Sequence, residues 1–321
     1  MKKLWLTLMI LSAVLAGCMK KEENTSPATS EKNDKIVVED AYGKHDFEGP
    51  QQKVVALEWS LAEELLAVGV QPTGVADIEN FNKWVTIDAT LADDVVDVGQ
   101  RTEPNIEEIA KLQPDVILGM KGRHEKVKAE LEKIAPVLLY DSATPEAQKD
   151  LYAHMINTLT QNATLVGKQQ EAKEAIAKLE ARITTAKDKL KDVDLPTKNF
   201  VFTQAFSVNE APTFRIFTPN AIVSHVLEGM GLTNRIQDQA DASGLVETNV
   251  EGLSAYQDAL LIYTVQEDDP LFKNLANNQA WNNFDFVKKE ALYDAGAGVW
   301  TFGSVLSMET LVDQVEKALV Q

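Results

Sequence analysis

Hydrophobic and polar positions alternate between two patterns along residues 54–141. Short apolar runs with many β-branched residues are typical of buried strands, and they occupy residues 54–59, 72–77, 95–99, 114–120 and 136–141. Between several of these runs the apolar positions recur at helical spacing, over residues 61–68, 106–112 and 125–134. Strands that alternate with helices predict an α/β unit with a largely parallel sheet.

A longer helical pattern follows this unit. Residues 165–191 contain no Gly or Pro after Gly167, and apolar residues recur in alternating steps of four and three, at Ala172, Ile176, Leu179, Ile183, Ala186 and Leu190. This stretch predicts one amphipathic helix, on the order of 35–40 Å long at 1.5 Å per residue, and we take 161–193 as the bounds of the connecting helix. Pro196 ends the pattern. A coiled-coil partner helix is the alternative, but three heptads between α/β segments favour a strut within the chain.

Alternation resumes after the long helix. The patterns predict strands at 200–206, 259–265 and 291–295, and helices at 221–230, 250–256, 271–278 and 308–319. The predicted fold class is therefore α/β, with two lobes built on mainly parallel sheets, residues 35–160 and 194–321. The helix at 161–193 joins them.

A short motif occurs once in each predicted lobe. Asn105-Ile106-Glu107 precedes the apolar run 115–118, and Asn249-Val250-Glu251 precedes the apolar run 258–261. The repeat is weak support for two related lobes, because a helix that leads into a strand produces much of it by chance. A glutamate near a helix start is also favoured by the helix dipole alone.

The N-terminus has the pattern of an export signal. Lys2 and Lys3 precede an apolar stretch at 4–15, which is too short to span a bilayer, and residues 15–18 read Leu-Ala-Gly-Cys. We predict a signal peptide over 1–17. The tetrapeptide resembles the lipobox of bacterial lipoproteins, so we expect Cys18, the chain's one cysteine, to carry a lipid; a core thiol is the alternative.

Residues 18–34 have a composition that cannot bury enough apolar surface to fold, so we expect a flexible tether. The protein would then lie on the extracytoplasmic side of a bacterial membrane. Loss of two lysines with the signal takes the formal net charge from −18 to −20. This charge argues against nucleic acid as a partner and against broad electrostatic adsorption to a membrane.

Sequence motifs for catalysis are absent. The chain has no Gly-x-Ser-x-Gly elbow, no phosphate loop and no His-Glu-x-x-His pair. The four histidines lie apart and lack metal-ligand spacing, which favours surface or packing roles: His45, His124, His154 and His225. We predict that the chain is not an enzyme and has no cofactor. An extracytoplasmic enzyme and a structural or adhesive lipoprotein are the remote alternatives.

Arginine is rare in this lysine-rich chain, with five arginines among the 31 basic residues. Arg101 and Arg123 follow predicted strands, and Arg215 lies in a stretch, 212–217, that we read as irregular. Ligands bind open α/β sheets outside the carboxyl ends of their strands, and arginine recognises carboxylates through two parallel hydrogen bonds. These three arginines are therefore candidates for an anion site, with ordinary surface ion pairing as the alternative.

Two tryptophans are candidates for the walls of the same cleft. Trp59 ends the first predicted strand, and Trp300 lies in a glycine-containing loop that follows the last one. A tryptophan in such a loop is less often a core residue than one within a helix. Trp281, inside an amphipathic stretch, is expected to pack in the core.

These features together resemble the iron-siderophore substrate-binding lipoproteins of ABC importers. The resemblance runs from about residue 35 to the C-terminus and is carried by residues 54–59, 69–77, 98–107, 112–117, 217–220, 226–232 and 299–311. Residues 57–59, 122–125, 214–217 and 300–303 look most like the ferric-citrate branch. Two departures leave the exact chelate open: Ser304 stands where relatives often carry a glycine, and residues 141–163 are more polar.

The resemblance implies a class III periplasmic-binding-protein-like fold and an Fe(III)-chelate as ligand, with ferric citrate the first choice. The iron would arrive wrapped in citrate oxygens, so no protein side chain would ligate it. A hydroxamate or citrate-hydroxamate siderophore of the ferrichrome or schizokinen type is the alternative, while haem or cobalamin suits the arginines less well.

The resemblance also implies partners: an ABC permease, on which Glu107 and Glu251 would dock, and its ATPase. We expect a monomer and a small lobe movement on binding.

Overall fold

The computed structural model describes residues 35–237 and 243–320. The predicted signal peptide, the predicted lipidation site Cys18 and the predicted tether lie outside the described residues.

The first part of the described chain, from residue 35 to residue 165, forms nine strands and seven helices. The strands are β1 (Ile36–Asp40), β2 (Gly43–Phe47), β3 (Val54–Ala56), β4 (Gly74–Val75), β5 (Val96–Asp97), β6 (Gly99–Gln100), β7 (Glu103–Pro104), β8 (Val116–Met120) and β9 (Val137–Tyr140). The helices are α1 (Trp59–Ala67), α2 (Ile78–Trp84), α3 (Ile106–Leu112), α4 (Lys121–His124), α5 (Lys128–Leu131), α6 (Pro145–Lys149) and α7 (Leu151–Leu165), with a 3₁₀ turn at Glu125–Val127.

The first sheet has the order β5-β4-β3-β8-β9, and all of its pairings are parallel. Its central strands are buried on both faces, which explains why they appear in the sequence as continuous apolar runs. β1 with β2, and β6 with β7, form two separate antiparallel ribbons. The parallel sheet predicted from the alternation is confirmed here.

The second part of the described chain contains α8 (Gln169–Leu190), α9 (Ile222–Gly229), α10 (Leu271–Leu275), α11 (Gln279–Asn283), α12 (Asp285–Lys288) and α13 (Val305–Leu319). Its strands are β10 (Asn199–Val208), β11 (Ala211–Phe217), β12 (Thr233–Asn234), β13 (Leu245–Thr248), β14 (Leu260–Thr264) and β15 (Leu292–Asp294), with a 3₁₀ turn at Glu251–Tyr256.

The second sheet is mixed. β10, β14 and β15 pair in parallel, as does β12 with β10, whereas β11 pairs antiparallel with both β10 and β13. Asn209 and Glu210 turn the chain between β10 and β11 with φ of 48° and 66°, which is the two-residue hairpin geometry that matches strand twist. The reading of residues 212–217 as irregular was therefore wrong: they belong to strand β11.

The long helix begins later than predicted. α7 ends before Gly167, which has a φ of 71°, and α8 starts at Gln169. The predicted range 161–193 therefore combines the end of α7 with the whole of α8, because a glycine in the left-handed region terminates a helix. α8 itself spans 22 residues and buries the predicted apolar face except for Ile176, which is partly buried.

One continuous apolar core connects the two sheets. It includes Val54 and Leu118 of the first sheet, Phe202 of the second, and Leu179 and Met308 of α8 and α13. α13 lies against α8, where Lys178 pairs with Glu309 at 2.7 Å. α13 therefore packs against α8, which joins the two sheets, and also contacts α1 of the first part of the chain. In the described parts of the chain, no helix is long and apolar enough to cross a membrane.

Candidate functional site

A cavity of about 670 Å³ lies at the carboxyl ends of the strands of the first sheet. Glu58 follows β3, Met120 ends β8 and Tyr140 ends β9, and all three line the cavity. The second sheet contributes Arg215 from β11 to the same lining. The location agrees with the rule that open parallel sheets bind ligands beyond their strand ends.

The three predicted arginines all line this cavity, together with Trp300. Arg101 and Arg123 come from the segments after β6 and β8, and Arg215 comes from the other sheet. Tertiary structure thus brings together side chains from distant parts of the sequence, with 114 positions between Arg101 and Arg215. Their convergence provides an array of guanidinium groups around a single space.

Arg101 and Arg123 share one buried carboxylate, that of Glu58. Its Oε2 lies 3.2 Å from Nη1 of Arg101, and its Oε1 pairs with Nε of Arg123. Glu58 is 6% exposed. Burial raises the pKa of Glu58, while the charges of Arg123 and Arg101 oppose that rise. The cluster therefore contains two cations and one anion.

Arg101 is held by aromatic rings as well as by Glu58. Its guanidinium carbon lies 3.6 Å from the ring centre of Trp59 and 5.6 Å from that of Trp300. This stacking fixes the plane of the guanidinium and leaves it little freedom. Nε of Arg101 is buried and has no hydrogen-bond partner among the described side chains and backbone.

Trp59 lies behind the cavity wall and does not line the cavity. It is 2% exposed, its indole N–H donates to the carbonyl of Ala76 at 3.1 Å, and its ring centre is 4.9 Å from that of Trp300. From the sequence, both tryptophans were predicted to form part of the cavity wall. The structure places Trp300 there and Trp59 beneath Arg101, because Trp59 is the first residue of α1 and faces the core.

His124 supports the backbone at Arg101. Its Nδ1 accepts from the N–H of Met120 at 3.0 Å, and its Nε2 donates to the carbonyl of Arg101 at 2.8 Å. This pattern requires a neutral ring with the proton on Nε2. Burial lowers the pKa of His124, in agreement with that state. From the sequence, His124 was predicted to have only a surface or packing role. Its two hydrogen-bond partners are backbone atoms, and one of them is distant in the chain, so no sequence pattern indicates them.

Arg215 is more exposed than Arg101. Its Nε donates to Glu247 at 2.8 Å on β13, and its guanidinium carbon lies 4.7 Å from the ring centre of Phe206. The side chain of Glu247 is about half exposed, so water screens this pair. Arg215 can therefore exchange its partner at low cost.

A second buried carboxylate, that of Glu64, lines the floor of the cavity. Its Oε1 lies 2.7 Å from the hydroxyl of Thr158, and its Oε2 accepts from the side-chain amide of Asn162 at 2.6 Å. Burial raises the pKa of Glu64 to about 8, against the effect of both hydrogen bonds. Two adjacent glutamates in an apolar helix were the only sequence signal for this feature.

Other lining residues were also missed. His154 lines the cavity, and its Nε2 is buried without a hydrogen-bond partner in the described chain. Asp141 lines it too and pairs with Lys121 at 3.2 Å. Within residues 35–237 and 243–320, no cluster of three or more His, Asp or Glu side chains could hold a metal ion.

Glu107 and Glu251 lie away from the cavity and are both exposed. Glu107 is in the first turn of α3, whose start is capped by the side chain of Asn105, which accepts from the N–H groups of Glu107 and Glu108 at 3.2 Å each. Glu251 begins the 3₁₀ turn. Neither forms an ion pair with another described residue.

Comparison with known proteins gives matches over most of the chain. The Fe(3+)-citrate-binding protein YfmC of Bacillus subtilis is 28% identical over 312 residues, which cover 97% of this chain and 94% of that protein. The iron(3+)-hydroxamate-binding protein FhuD of Escherichia coli is 28% identical over 267 residues, which cover 83% and 86%.

The structure of a siderophore-binding FhuD from Vibrio cholerae, bound to Fe3+-Desferal, has a TM-score of 0.75 and 26% identity. It covers 84% of this chain and 98% of its own.

All three of these proteins are named as binding proteins, which agrees with the prediction that the chain is not an enzyme. The profile described as periplasmic binding protein matches residues 54–298, which contain the first sheet, α8 and the second sheet. Because this match spans well over half of the sequence, the chain belongs to the periplasmic binding protein family.

Proposed function

We propose that this protein binds an Fe(III)-chelate, with ferric citrate the first choice, and delivers it to an ABC importer. The observation that carries the proposal is the convergence of Arg101, Arg123 and Arg215 on one cavity at the strand ends. The name of the similar YfmC supports citrate as the ligand. The bound chelate is the cargo of the protein, and its citrate oxygens supply the donors that ferric iron prefers.

Local charge explains how an acidic protein attracts an anionic chelate. The formal net charge is −18, but screening over ~8 Å at physiological ionic strength weakens distant repulsion. Inside the cavity each guanidinium offers charge-assisted hydrogen bonds, worth about 1.5–3 kcal/mol each. Arg101 and Arg123 reach the cavity from the first part of the chain and Arg215 from β11 of the second sheet, while Trp300 forms part of the wall.

A hydroxamate siderophore is the second candidate. FhuD of Escherichia coli is named for iron(3+)-hydroxamate, and the similar Vibrio cholerae structure contains Fe3+-Desferal. Leu61, Met155 and Phe302 add apolar surface to the lining, which a larger and less charged chelate would contact. Such a ligand would leave some of the arginines without a partner.

Tryptophan fluorescence distinguishes the two ligands. A bound iron complex is expected to quench Trp300, so a titration with ferric citrate and with a ferric trihydroxamate gives both dissociation constants. Alanine at Arg101, Arg123 or Arg215 should weaken ferric-citrate binding by about 10- to 100-fold each, from the loss of one charge-assisted interaction. Arg235→Ala is the matched control, because Arg235 pairs with Asp258 and does not line the cavity. Unchanged affinity in all three cavity variants would refute the assignment.

We propose that Glu107 and Glu251 dock on the permease. Both are exposed carboxylates without an ion-pair partner in the described structure, so they are available to a cationic surface. The double substitution Glu107→Lys with Glu251→Lys should abolish iron uptake and leave ferric-citrate affinity unchanged. Glu180→Lys on the exposed face of α8 controls for the added charge. Loss of ligand binding in the double variant would contradict this division of roles.

We propose membrane anchoring through a lipid on Cys18. The sequence pattern at 15–18 supports it. Cys18→Ala should move the protein from the membrane fraction to the soluble fraction, and retention of the variant in the membrane fraction would refute the anchor.

We also propose a small lobe movement on ligand binding. Glu63 of α1, in the first lobe, accepts from the N–H of Ser307 on α13, in the second lobe, at 2.7 Å. A wide opening of the lobes would break this buried hydrogen bond. Small-angle scattering of the free and loaded protein tests this movement, and a large change in radius of gyration would contradict it.

A further inference from the structure

Glu58 occupies the position that a carboxylate ligand would need. Its two oxygens engage Arg101 and Arg123, and both arginines line the cavity proposed for an anionic chelate. Among the described residues, no other acidic side chain pairs with either arginine. A ligand carboxylate that approaches these guanidinium groups therefore meets a protein carboxylate already bound to them.

Among the described residues, the surrounding elements give Glu58 no further ion-pair partner, although the backbone N–H of Trp59 at the start of α1 also favours its charged form. The charges that act on it are those of Arg123 on α4 and Arg101 beside β6. His124 is neutral and directs its N–H to the carbonyl of Arg101. Asp141 lines the same cavity, but it forms an ion pair with Lys121 at 3.2 Å.

Burial makes sharing of the arginines costly. Glu58 is 6% exposed, so when a guanidinium leaves Glu58 to bind a ligand, water does not take its place beside the carboxylate. A carboxylate left in this position beside an anionic chelate is repelled by it, and only protonation relieves the repulsion. The stacking of Arg101 on Trp59 holds that guanidinium in place while its partners exchange.

We propose that Glu58 is a specificity-determining residue that competes with an anionic ligand for Arg101 and Arg123, so that ferric citrate binds most tightly when Glu58 is neutral. This inference rests on the proposed function. It predicts that the charged Glu58 weakens binding of an anionic chelate at alkaline pH. At acidic pH, where Glu58 is protonated, this weakening disappears. A neutral ferric trihydroxamate experiences no such competition.

Glu58→Gln tests the proposal because it keeps the shape and removes the charge. The readout is the ratio of the ferric-citrate dissociation constants of the wild type and the variant, measured from about pH 5 to about pH 8. Ligand speciation is the same for both proteins, so it cancels in the ratio. We expect the variant to bind on the order of tenfold more tightly at the alkaline end, with the ratio approaching one at the acidic end. Asp258→Asn is the matched control, since Asp258 also pairs with an arginine, Arg235, but neither residue lines the cavity.

A second measurement on the wild type avoids dependence on a variant. Calorimetry in two buffers of different ionisation enthalpy counts the protons taken up per ferric citrate bound, and Glu58→Gln should take up fewer. A ratio that is constant with pH, or a variant that binds more weakly at every pH, would overturn the competition and leave Glu58 as a positioning residue. Failure of the wild type to bind ferric citrate at all would instead overturn the proposed function and this inference with it.

Discussion

Glu64 provides a test of charge burial in this fold. The hydroxyl of Thr158 lies 2.9 Å from the carbonyl of Met155 and 2.7 Å from Oε1 of Glu64. A hydroxyl has one proton, so if Thr158 donates it to Met155, then Glu64 must donate to Thr158 and is itself protonated. Burial, which raises the pKa of Glu64 to about 8, gives the same protonation state.

The sign of the pH dependence follows from this state. The folded protein keeps a proton on Glu64 that the unfolded chain loses above a pKa of 4.5. Stability from this group is therefore complete below pH 4.5 and is lost as the pH rises through about 8. Between about pH 5 and about pH 8, we expect the wild type to lose about 3 kcal/mol of unfolding free energy through Glu64 alone.

Glu64→Gln should remove this dependence. A glutamine can accept from Asn162 and donate to Thr158, so it reproduces both hydrogen bonds of the protonated acid. Urea unfolding followed by tryptophan fluorescence at both pH values gives the free energies, with Glu180→Gln as an exposed control on α8. The difference between wild type and Glu64→Gln should change by about 3 kcal/mol between the two pH values. An unchanged difference would refute a neutral Glu64.

Three further predictions concern the elements around the cavity. Glu63→Ala should destabilise the protein by about 3 kcal/mol in urea, because it leaves the buried N–H and hydroxyl of Ser307 without an acceptor; a loss below about 1 kcal/mol would contradict this role. Gly303→Ala should lower the unfolding free energy by about 2 kcal/mol, because a Cβ there would lie 2.6 Å from Oε2 of Glu63; an unchanged urea midpoint would show that the loop can shift. His124→Ala should weaken ferric-citrate binding several-fold in the fluorescence titration, because the carbonyl of Arg101 loses its donor; equal affinity would show that Arg101 is held by other contacts alone.

Prediction from sequence succeeded where the signal is local. The run at 114–120 predicts a strand, and β8 spans Val116–Met120. The apolar spacing in α8 identifies its buried face, because residues three and four apart lie on the same side of a helix. The hairpin at Asn209 and Glu210 was missed, since neither residue is glycine and the pair gives a weak turn signal.

Only part of the candidate site was predicted from the sequence, and there is a physical reason why some residues were identified and others were missed. Arginine in a lysine-rich chain, placed after strands, was enough to select Arg101 and Arg123. The carboxylate between them could not be selected, because Glu58 is 43 positions from Arg101 and its burial depends on how α1 packs. Glu63 and Glu64 show the same limit: they are neighbours in sequence but have partners on two different helices, α13 and α7.

The sequence by itself therefore determined the class of fold and most of the parallel strands, and it predicted the residue type that would recognise an anion. These properties depend on periodicity and side-chain chemistry, which neighbouring positions encode. The tertiary structure alone decided which charges are buried, which of them share partners, and that Trp59 supports Arg101 from behind the cavity wall. Burial and ion pairing depend on contacts between distant segments, and such contacts exist only once the two sheets have packed around α1, α8 and α13.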